Sequence, residues 1–303
     1  MKLALFAYGL TGPAALKSLK KDFDIVSVTI PPKKSRFFCK ATKEVINECE
    51  SNNIKLIIDT NLKDLKNNFK ILKPDISVIS SYNKILNQDI LNLCKFINIH
   101  HGDLPRYRGR ANINWAIING RKEIGICAHE AIPDLDAGNI YKTWMIPISE
   151  NDYISDVYEK VNICIEKNLN SVILDVVNNK NKGTEQEGQS TYCCTRLPRD
   201  GKINWNDDAK NILNLIRGVS KPFGGAFCDL ILDPIKIQKV TIWKAYIEKN
   251  PRIYEGNIPG RVARIIKGIG AEILTKTTPI IITNVNNTTA DKFFKTNLEQ
   301  TLA

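Results

Sequence analysis

The sequence is poor in the residues that metal and disulfide chemistry require. Three histidines occur in 303 residues, and the eight cysteines include no Cys-x-x-Cys pair; Cys193 and Cys194 are adjacent and the others stand far apart. Structural zinc is held by closely spaced Cys and His pairs, so no metal is expected. The same scatter in a chain of this length argues against a disulfide framework and for reduced thiols in a cytoplasmic protein. No stretch of about 18 apolar residues occurs, so no membrane-spanning helix is expected. The apolar run Leu3–Tyr8 after Met1-Lys2 is short and turns at Gly9 and Gly12. It reads as a first buried strand, not as a secretory signal. No repeat of fixed period is found. Gly9-Leu10-Thr11-Gly12 falls short of the G-x-G-x-x-G fingerprint, which argues against a nicotinamide-dependent oxidoreductase.

What the chain does have is positive charge, +11 in total. Such a balance calls for an anionic partner (nucleic acid, a nucleotide-linked small molecule or a polyglutamylated cofactor) or for a solvated basic surface. The lysines are scattered along the whole chain, which favours the surface reading. The length suffices for two domains. Up to about residue 180, strand-like and helix-like segments alternate. Lys2–Tyr8, Asp24–Ile30, Ile54–Ile58, Ile76–Ser80 and Phe96–Ile99 read as strands; Pro13–Lys21, Ala41–Asn52, Leu62–Phe69 and Asn87–Cys94 read as helices. This is the signature of βαβ units around a mostly parallel, Rossmann-like sheet. Ile124–Ala131 and Tyr141–Ile148 follow as strands and Ser155–Asn179 as a long helix. Asn178–Ser190 is polar and reads as a linker. Beyond it lie a short helix, Asp208–Arg217, and five strand-like runs: Ala226–Leu232, Ile235–Ile247, Gly260–Ile266, Glu272–Thr275 and Pro279–Val285. The expected class is α/β with a smaller C-terminal β-barrel of OB-like type, divided as residues 1–190 and 191–303.

The densest segment is Phe96–Gly109. Side chains alternate along a strand, so Asn98 and His100 point the same way, at the carboxyl end of a parallel strand where open α/β sheets bind ligands. An amide can stabilise an oxyanion and an imidazole can accept a proton; a pair that merely caps the strand fits the spacing equally. A second polar cluster, Asp134-Leu135-Asp136-Ala137-Gly138, lacks the further oxygen ligands of a calcium loop and also suits a plain turn.

Taken together, the two clusters resemble the folate-dependent formyltransferase family, which includes glycinamide ribonucleotide, methionyl-tRNA and amino-sugar formyltransferases. The shared pattern is N-x-H (Asn98-Ile99-His100), a Leu-Pro loop with a downstream glycine (Leu104-Pro105, Gly109) and a distant D-x-G turn (Asp136-Ala137-Gly138). Arg196–Trp205 and Pro222–Phe227 resemble the start of that family's C-terminal domain. The resemblance implies His100 as general base toward an amine, Asn98 as donor to the oxyanion, and Asp136 as partner of His100 that also relays protons. It implies 10-formyltetrahydrofolate as formyl donor, with Ile85, Leu86 and Asp134 as folate contacts. Two departures stand out. The family's S-L-L-P loop is Gly102-Asp103-Leu104-Pro105, and His101 follows the catalytic position; by alternation it faces away from His100 and takes a structural or solvent role. His129 would line the site.

The acceptor follows from finer resemblance. Tyr107-Arg108-Gly109-Arg110-Ala111 with Asn114-Trp115 is similar to the domain that formylates UDP-4-amino-4-deoxyarabinose, although Asn112 stands where proline is common. Trp115 reads as core packing. The Gly-rich basic insertion typical of tRNA enzymes is missing around Pro31–Arg36. The implied acceptor is therefore a nucleotide-linked amino sugar (UDP-, dTDP- or GDP-linked) for cell-surface glycans such as lipopolysaccharide and O-antigen. Its diphosphate would meet Lys84, Arg106, Arg108 or Arg110. Methionyl-tRNA formyltransferase is the alternative. Nucleic acid is expected as a partner only under that alternative, no membrane partner is expected, and a homodimer is allowed.

Overall fold

The computed structural model describes residues 1–35, 37–231, 237–295, 298 and 300–303. By packing, the chain forms two units. One comprises Met1–Asn112, Glu123–Pro147 and Tyr158–Cys193; the other comprises Ile113–Lys122, Ile148–Val157 and Cys194–Ala303.

The first unit is built on a seven-stranded sheet. Its elements in chain order are β1 (Lys2–Ala7), α1 (Gly12–Leu19), β2 (Asp24–Ile30), α2 (Lys40–Ser51), β3 (Leu56–Ile58), α3 (Leu62–Leu72), β4 (Ile76–Ser80), α4 (Gln88–Leu91), β5 (Lys95–His100) and β6 (Arg108–Gly109). Then come α5 (Asn112–Ile118), most of which packs in the second unit, β7 (Glu123–Glu130), β8 (Ile140–Pro147), α6 (Ile154–Val177) and β9 (Tyr192–Cys193). The strand order is β3-β2-β1-β4-β5-β7-β8. The first five are parallel; β7 is antiparallel to β5 and to β8. Leu3–Ala7 and all of β4 are buried. Strands covered on both faces read as continuous apolar runs, which is why both stand out in the sequence. Phe6, Phe69 and Phe96 anchor one core cluster, with the last two rings stacked 5.7 Å apart. Helix starts have local causes. Asn61 caps α3 by accepting from the Asp64 N–H at 2.8 Å, satisfying a donor that the first turn leaves open.

The second unit holds α7 (Ala209–Val219), β10 (Ala226–Ile231), β11 (Ile237–Tyr246), β12 (Val262–Ile266), β13 (Gly270–Ile273), β14 (Ile280–Val285), β15 (Thr288–Thr289) and α8 (Ala290–Phe294). Leu232, Ile235 and Lys236, which end and begin two of the strand-like runs, lie outside the described residues. The order is β10-β11-β14-β13-β12, all antiparallel, with β15 on β14. The last residues join its two ends. Asp229 and Ala303 exchange both backbone hydrogen bonds at 2.7 Å, and the Val262 N–H donates to the Gln300 carbonyl at 2.9 Å. The sheet thereby closes into a barrel, which leaves neither β10 nor β12 as an open edge. Leu302 fills the core beside Trp205, Val262 and Phe294.

Closure predicts a specific weakness. Leu302→Ala should cost about 2–5 kcal/mol, the usual range for truncating a core leucine. Deleting residues 301–303 should cost more, because it also unpairs Asp229. Urea unfolding followed by tryptophan fluorescence checks both, and equal midpoints for the wild-type protein and the deletion would show that closure carries no stability.

Candidate active site

Three polar side chains share one face of the sheet for reasons of register alone. Asn98 and His100 are two residues apart on β5, and His129 on β7 stands directly opposite Asn98. The Asn98 amide Nδ2 lies 3.0 Å from His129 Nε2. His129 Nδ1 lies 2.7 Å from the Glu130 carbonyl, which can only accept; the proton is therefore on Nδ1, and Nε2 accepts from Asn98.

Asp136 reaches these residues from the turn between β7 and β8. Its backbone is left-handed, φ +50°. Its carboxylate accepts from the Gly109 N–H at 2.9 Å and from Asn98 Nδ2 at 3.3 Å, and lies 3.5 Å from His100 Nδ1 and 3.6 Å from His129 Nε2. Gly109 has φ +96°, and a Cβ there would sit 2.5 Å from the Cys193 carbonyl. Only glycine can turn its N–H toward Asp136 while the 192–193 segment lies against it.

The far side of the His100 ring is fixed as well. Nε2 lies 2.7 Å from the Tyr107 carbonyl and 2.9 Å from Asn112 Nδ2; the carbonyl is the nearer group and can only accept, which places a proton on Nε2. Asn112 Nδ2 donates to the same carbonyl at 2.7 Å. The lone pair of His100 is thereby left on Nδ1, facing Asp136. Gly102, where the family pattern has serine, belongs to this fit: a Cβ would meet the Tyr107 carbonyl at 2.5 Å and His100 Nε2 at 2.7 Å.

Burial pushes the His100 imidazole below its ordinary value, against the opposing pull of the Asp136 carboxylate. That shift favours the neutral form. Burial also works against ionisation of Asp136, but His129, His100 and the Gly109 N–H outweigh it and hold that carboxyl down to about 2. His101 points elsewhere, edge-on to Tyr158 at 6.1 Å, and burial drives it down to about 3; its Nε2 has no hydrogen-bond partner.

The remaining candidates are arranged differently. Ile85 is 67% exposed, whereas Leu86 is buried in the cluster that includes Phe6 and Phe96. Asp134 is exposed on the turn, flanked by exposed Ile132 and Leu135. Lys84 pairs with the buried Asp59 at 2.7 Å, and Asp59 also accepts from the Tyr8 hydroxyl. Arg108 donates to Gln186 at 2.6 Å and lies against the Tyr192 ring. Arg106 and Arg110 are exposed, with Arg110 donating to the Asn83 carbonyl. Trp115 is half-buried under the Arg196 guanidinium, its indole N–H on the Cys194 carbonyl. The Tyr107 carbonyl and Asn112 were missed in the sequence. A backbone carbonyl leaves no sequence signal, and Asn112 was visible only as a departure from proline.

Residues 13–173 match the family model described as "Formyl transferase", and residues 197–297 match the one described as "Formyl transferase, C-terminal domain". The chain is 34% identical over 257 residues to the bifunctional polymyxin resistance protein ArnA of Wigglesworthia glossinidia brevipalpis, covering 82% of this chain but only 38% of that one. It is 32% identical over 276 residues to the methionyl-tRNA formyltransferase of Malacoplasma penetrans, covering 88% and 82%. Its fold is similar to that of the N-formyltransferase from Helicobacter canadensis, solved with folinic acid and dTDP-3-aminofucose, at a TM-score of 0.65, 21% identity and 93% and 98% coverage.

The buried imidazoles set an acid limit on stability. His101 stays neutral in the fold down to about 3, while in the unfolded chain it takes up a proton near 6.5. Between these values the unfolded chain binds more protons, so stability falls as pH drops from about 6.5 toward 3. His101→Phe keeps a ring against Tyr158 and removes the titration. The slope of unfolding free energy against pH in that window should be shallower in this variant.

Proposed function

Because the chain belongs to the formyl transferase family, we propose that it moves a formyl group from 10-formyltetrahydrofolate to the amine of a nucleotide-linked amino sugar, with Asn98, His100 and Asp136 as its catalytic set. One observation carries this reading: His100 Nδ1 lies 3.5 Å from the buried Asp136 carboxylate, Nε2 lies on the Tyr107 carbonyl, and the Asn98 amide is hydrogen-bonded to the same carboxylate.

The chemistry follows from those positions. The amine lone pair attacks the formyl carbon, forming a C–N bond and placing a negative charge on the formyl oxygen. His100 Nδ1 accepts the amine's proton, and the resulting imidazolium is stabilised by Asp136. Both Asn98 N–H groups have partners in this structure. The longer bond, 3.3 Å to Asp136, is the one whose N–H turns to the oxyanion, which takes over from the carboxylate as the charged acceptor. Collapse of the intermediate breaks the bond to the folate nitrogen, which takes a proton from the imidazolium directly or through water.

The donor's pterin is an apolar plate with a hydrogen-bonding edge. Exposed Ile85, with Ile132 and Leu135, offers apolar surface, and Asp134 offers a carboxylate for that edge. Leu86 supports the loop from beneath. Of the four cations considered for the diphosphate, Lys84 is tied to Asp59 and Arg108 to Gln186, so Arg106 and Arg110 are the better candidates. We assign catalysis to residues 1–190, with 191–303 as an accessory barrel. No helix of the described residues is long and apolar enough to cross a membrane, and we assign the enzyme to the cytoplasm, supplying precursors of cell-surface glycans. Greater coverage of the methionyl-tRNA enzyme than of ArnA favours initiator tRNA as the second reading.

Incubation with the folate donor and a panel of UDP-, dTDP- and GDP-linked amino sugars, beside charged initiator tRNA, separates these acceptors. Formylation of tRNA alone would overturn the sugar assignment. With the accepted substrate, His100→Ala and Asp136→Asn should be severely impaired. Asn98→Ala should lose on the order of a hundredfold in turnover. The acceptor KM should change little, because these groups act in the transition state. Near-normal turnover in both His100→Ala and Asp136→Asn would eliminate the catalytic set.

A further inference from the structure

The polar segment between the long helix and the barrel unit reads in sequence as a linker, yet it is held against the catalytic loops at both ends and at Gln186. Thr184 pairs with Ile140 at the foot of β8 through two backbone hydrogen bonds, 2.8 and 2.9 Å. Seven residues on, Thr191 takes the Tyr107 N–H on its hydroxyl at 3.0 Å and the Arg108 N–H on its carbonyl at 2.8 Å. The Cys193 carbonyl accepts from the Arg110 N–H at 3.2 Å. One end of the segment is therefore fixed beside the turn that carries Asp136, and the other beside the loop that supplies the Tyr107 carbonyl and the Gly109 N–H.

Gln186 connects the two. Its Nε2 donates to the Asp136 carbonyl at 2.8 Å and to the Gly138 carbonyl at 2.9 Å, while its Oε1 accepts from Arg108 at 2.6 Å. Both amide hydrogens meet carbonyls and the oxygen meets a guanidinium, so the amide has one allowed orientation. Asp136 needs such support. Left-handed backbone, φ +50° here, is strained for a residue with a side chain and persists where its surroundings hold it. Arg108 precedes Gly109, whose N–H holds the Asp136 carboxylate. A closed circuit results: Asp136 backbone, Gln186, Arg108, Gly109, Asp136 carboxylate. We propose that Gln186 is a positioning residue that sets the Asp136 carboxylate against His100 Nδ1, and that the 184–193 segment is a strap belonging to the catalytic centre. This inference rests on the formyl-transfer reading for its catalytic consequence, but not for its geometry.

The test therefore has two independent arms. In the first, imidazole ¹⁵N spectra of the full chain are recorded against pH without substrate, for the wild-type protein, Gln186→Ala and Gln186→Glu. Only three histidines need assignment. The Asp136 carboxylate raises the His100 pKa, so loosening it should move the His100 titration to lower pH in Gln186→Ala, while in Gln186→Glu the added carboxylate opposes that shift. Gln186→Glu keeps the acceptor for Arg108 and loses both donors, which separates the carbonyl clamp from the arginine contact. In the second arm, turnover should fall tenfold or more in both variants with the KM of donor and acceptor within about twofold. The acid limb of the rate profile should shift down with the spectra, which a general loss of stability would not produce. An unchanged His100 titration in Gln186→Ala overturns the proposal whatever the rates. Wild-type turnover in Gln186→Glu overturns the clamp in favour of Arg108. Wild-type protein inactive with every acceptor, but with His100 shifted in the variants, would fault the functional reading and leave the positioning role standing.

Discussion

A charge nine-tenths removed from water must be surrounded by partners before the chain can accept it. An unpaired buried carboxylate costs several kcal/mol or takes up a proton. Asp136 meets that demand with the Gly109 N–H and the Asn98 amide, and packs against two imidazoles whose nitrogens lie 3.5 and 3.6 Å away. Each partner imposes a condition elsewhere. The N–H requires a glycine at 109. The amide and the second imidazole require β5 and β7 to pair in one register, since a slip of one residue would send Asn98 or His129 to the opposite face. The first imidazole requires its other nitrogen to be occupied, which the Tyr107 carbonyl does. The antiparallel turn in an otherwise parallel sheet serves the same end, because it returns the chain to the site within a few residues.

Neutral His100 and ionised Asp136 differ in kind although they face each other. Desolvation disfavours charge on both, but Asp136 has enough donors to overcome it and His100 has one opposing anion. The pair therefore rests as base and counter-charge, with the proton absent until an acceptor supplies it. That is the condition a general base needs at neutral pH.

Much of this was legible in the sequence because it is periodic or local. Strand β2 and strand β4 have the bounds that their β-branched runs suggest, and the N-x-H and D-x-G motifs announce themselves. The second half of the molecule was readable as successive strands separated by turns. What was not legible is set by distant pairs. Helix α5, Asn112–Ile118, went unread because it is short and opens on two asparagines that suit a loop. The pairing of Lys84 with Asp59 joins residues from different loops, and composition cannot distinguish a paired lysine from a solvated one. The polar stretch around Gln186 looks like linker because its partners are carbonyls, which every residue has. Gly102 was visible as a missing serine, but its reason, the carbonyl lodged beside it, appears only in three dimensions.

The barrel unit takes segments from early, middle and late in the chain and is closed by residues 300–303. During synthesis, the segment that completes it emerges after every strand it joins. Until then β10 and β12 carry open rows of amide and carbonyl groups, and the cavity that receives Leu302 stays open to solvent. The first unit has all its strands of the large sheet by Pro147 and can assemble while translation continues. The large sheet can thus form progressively, whereas the barrel closes only once residues 300–303 have been made.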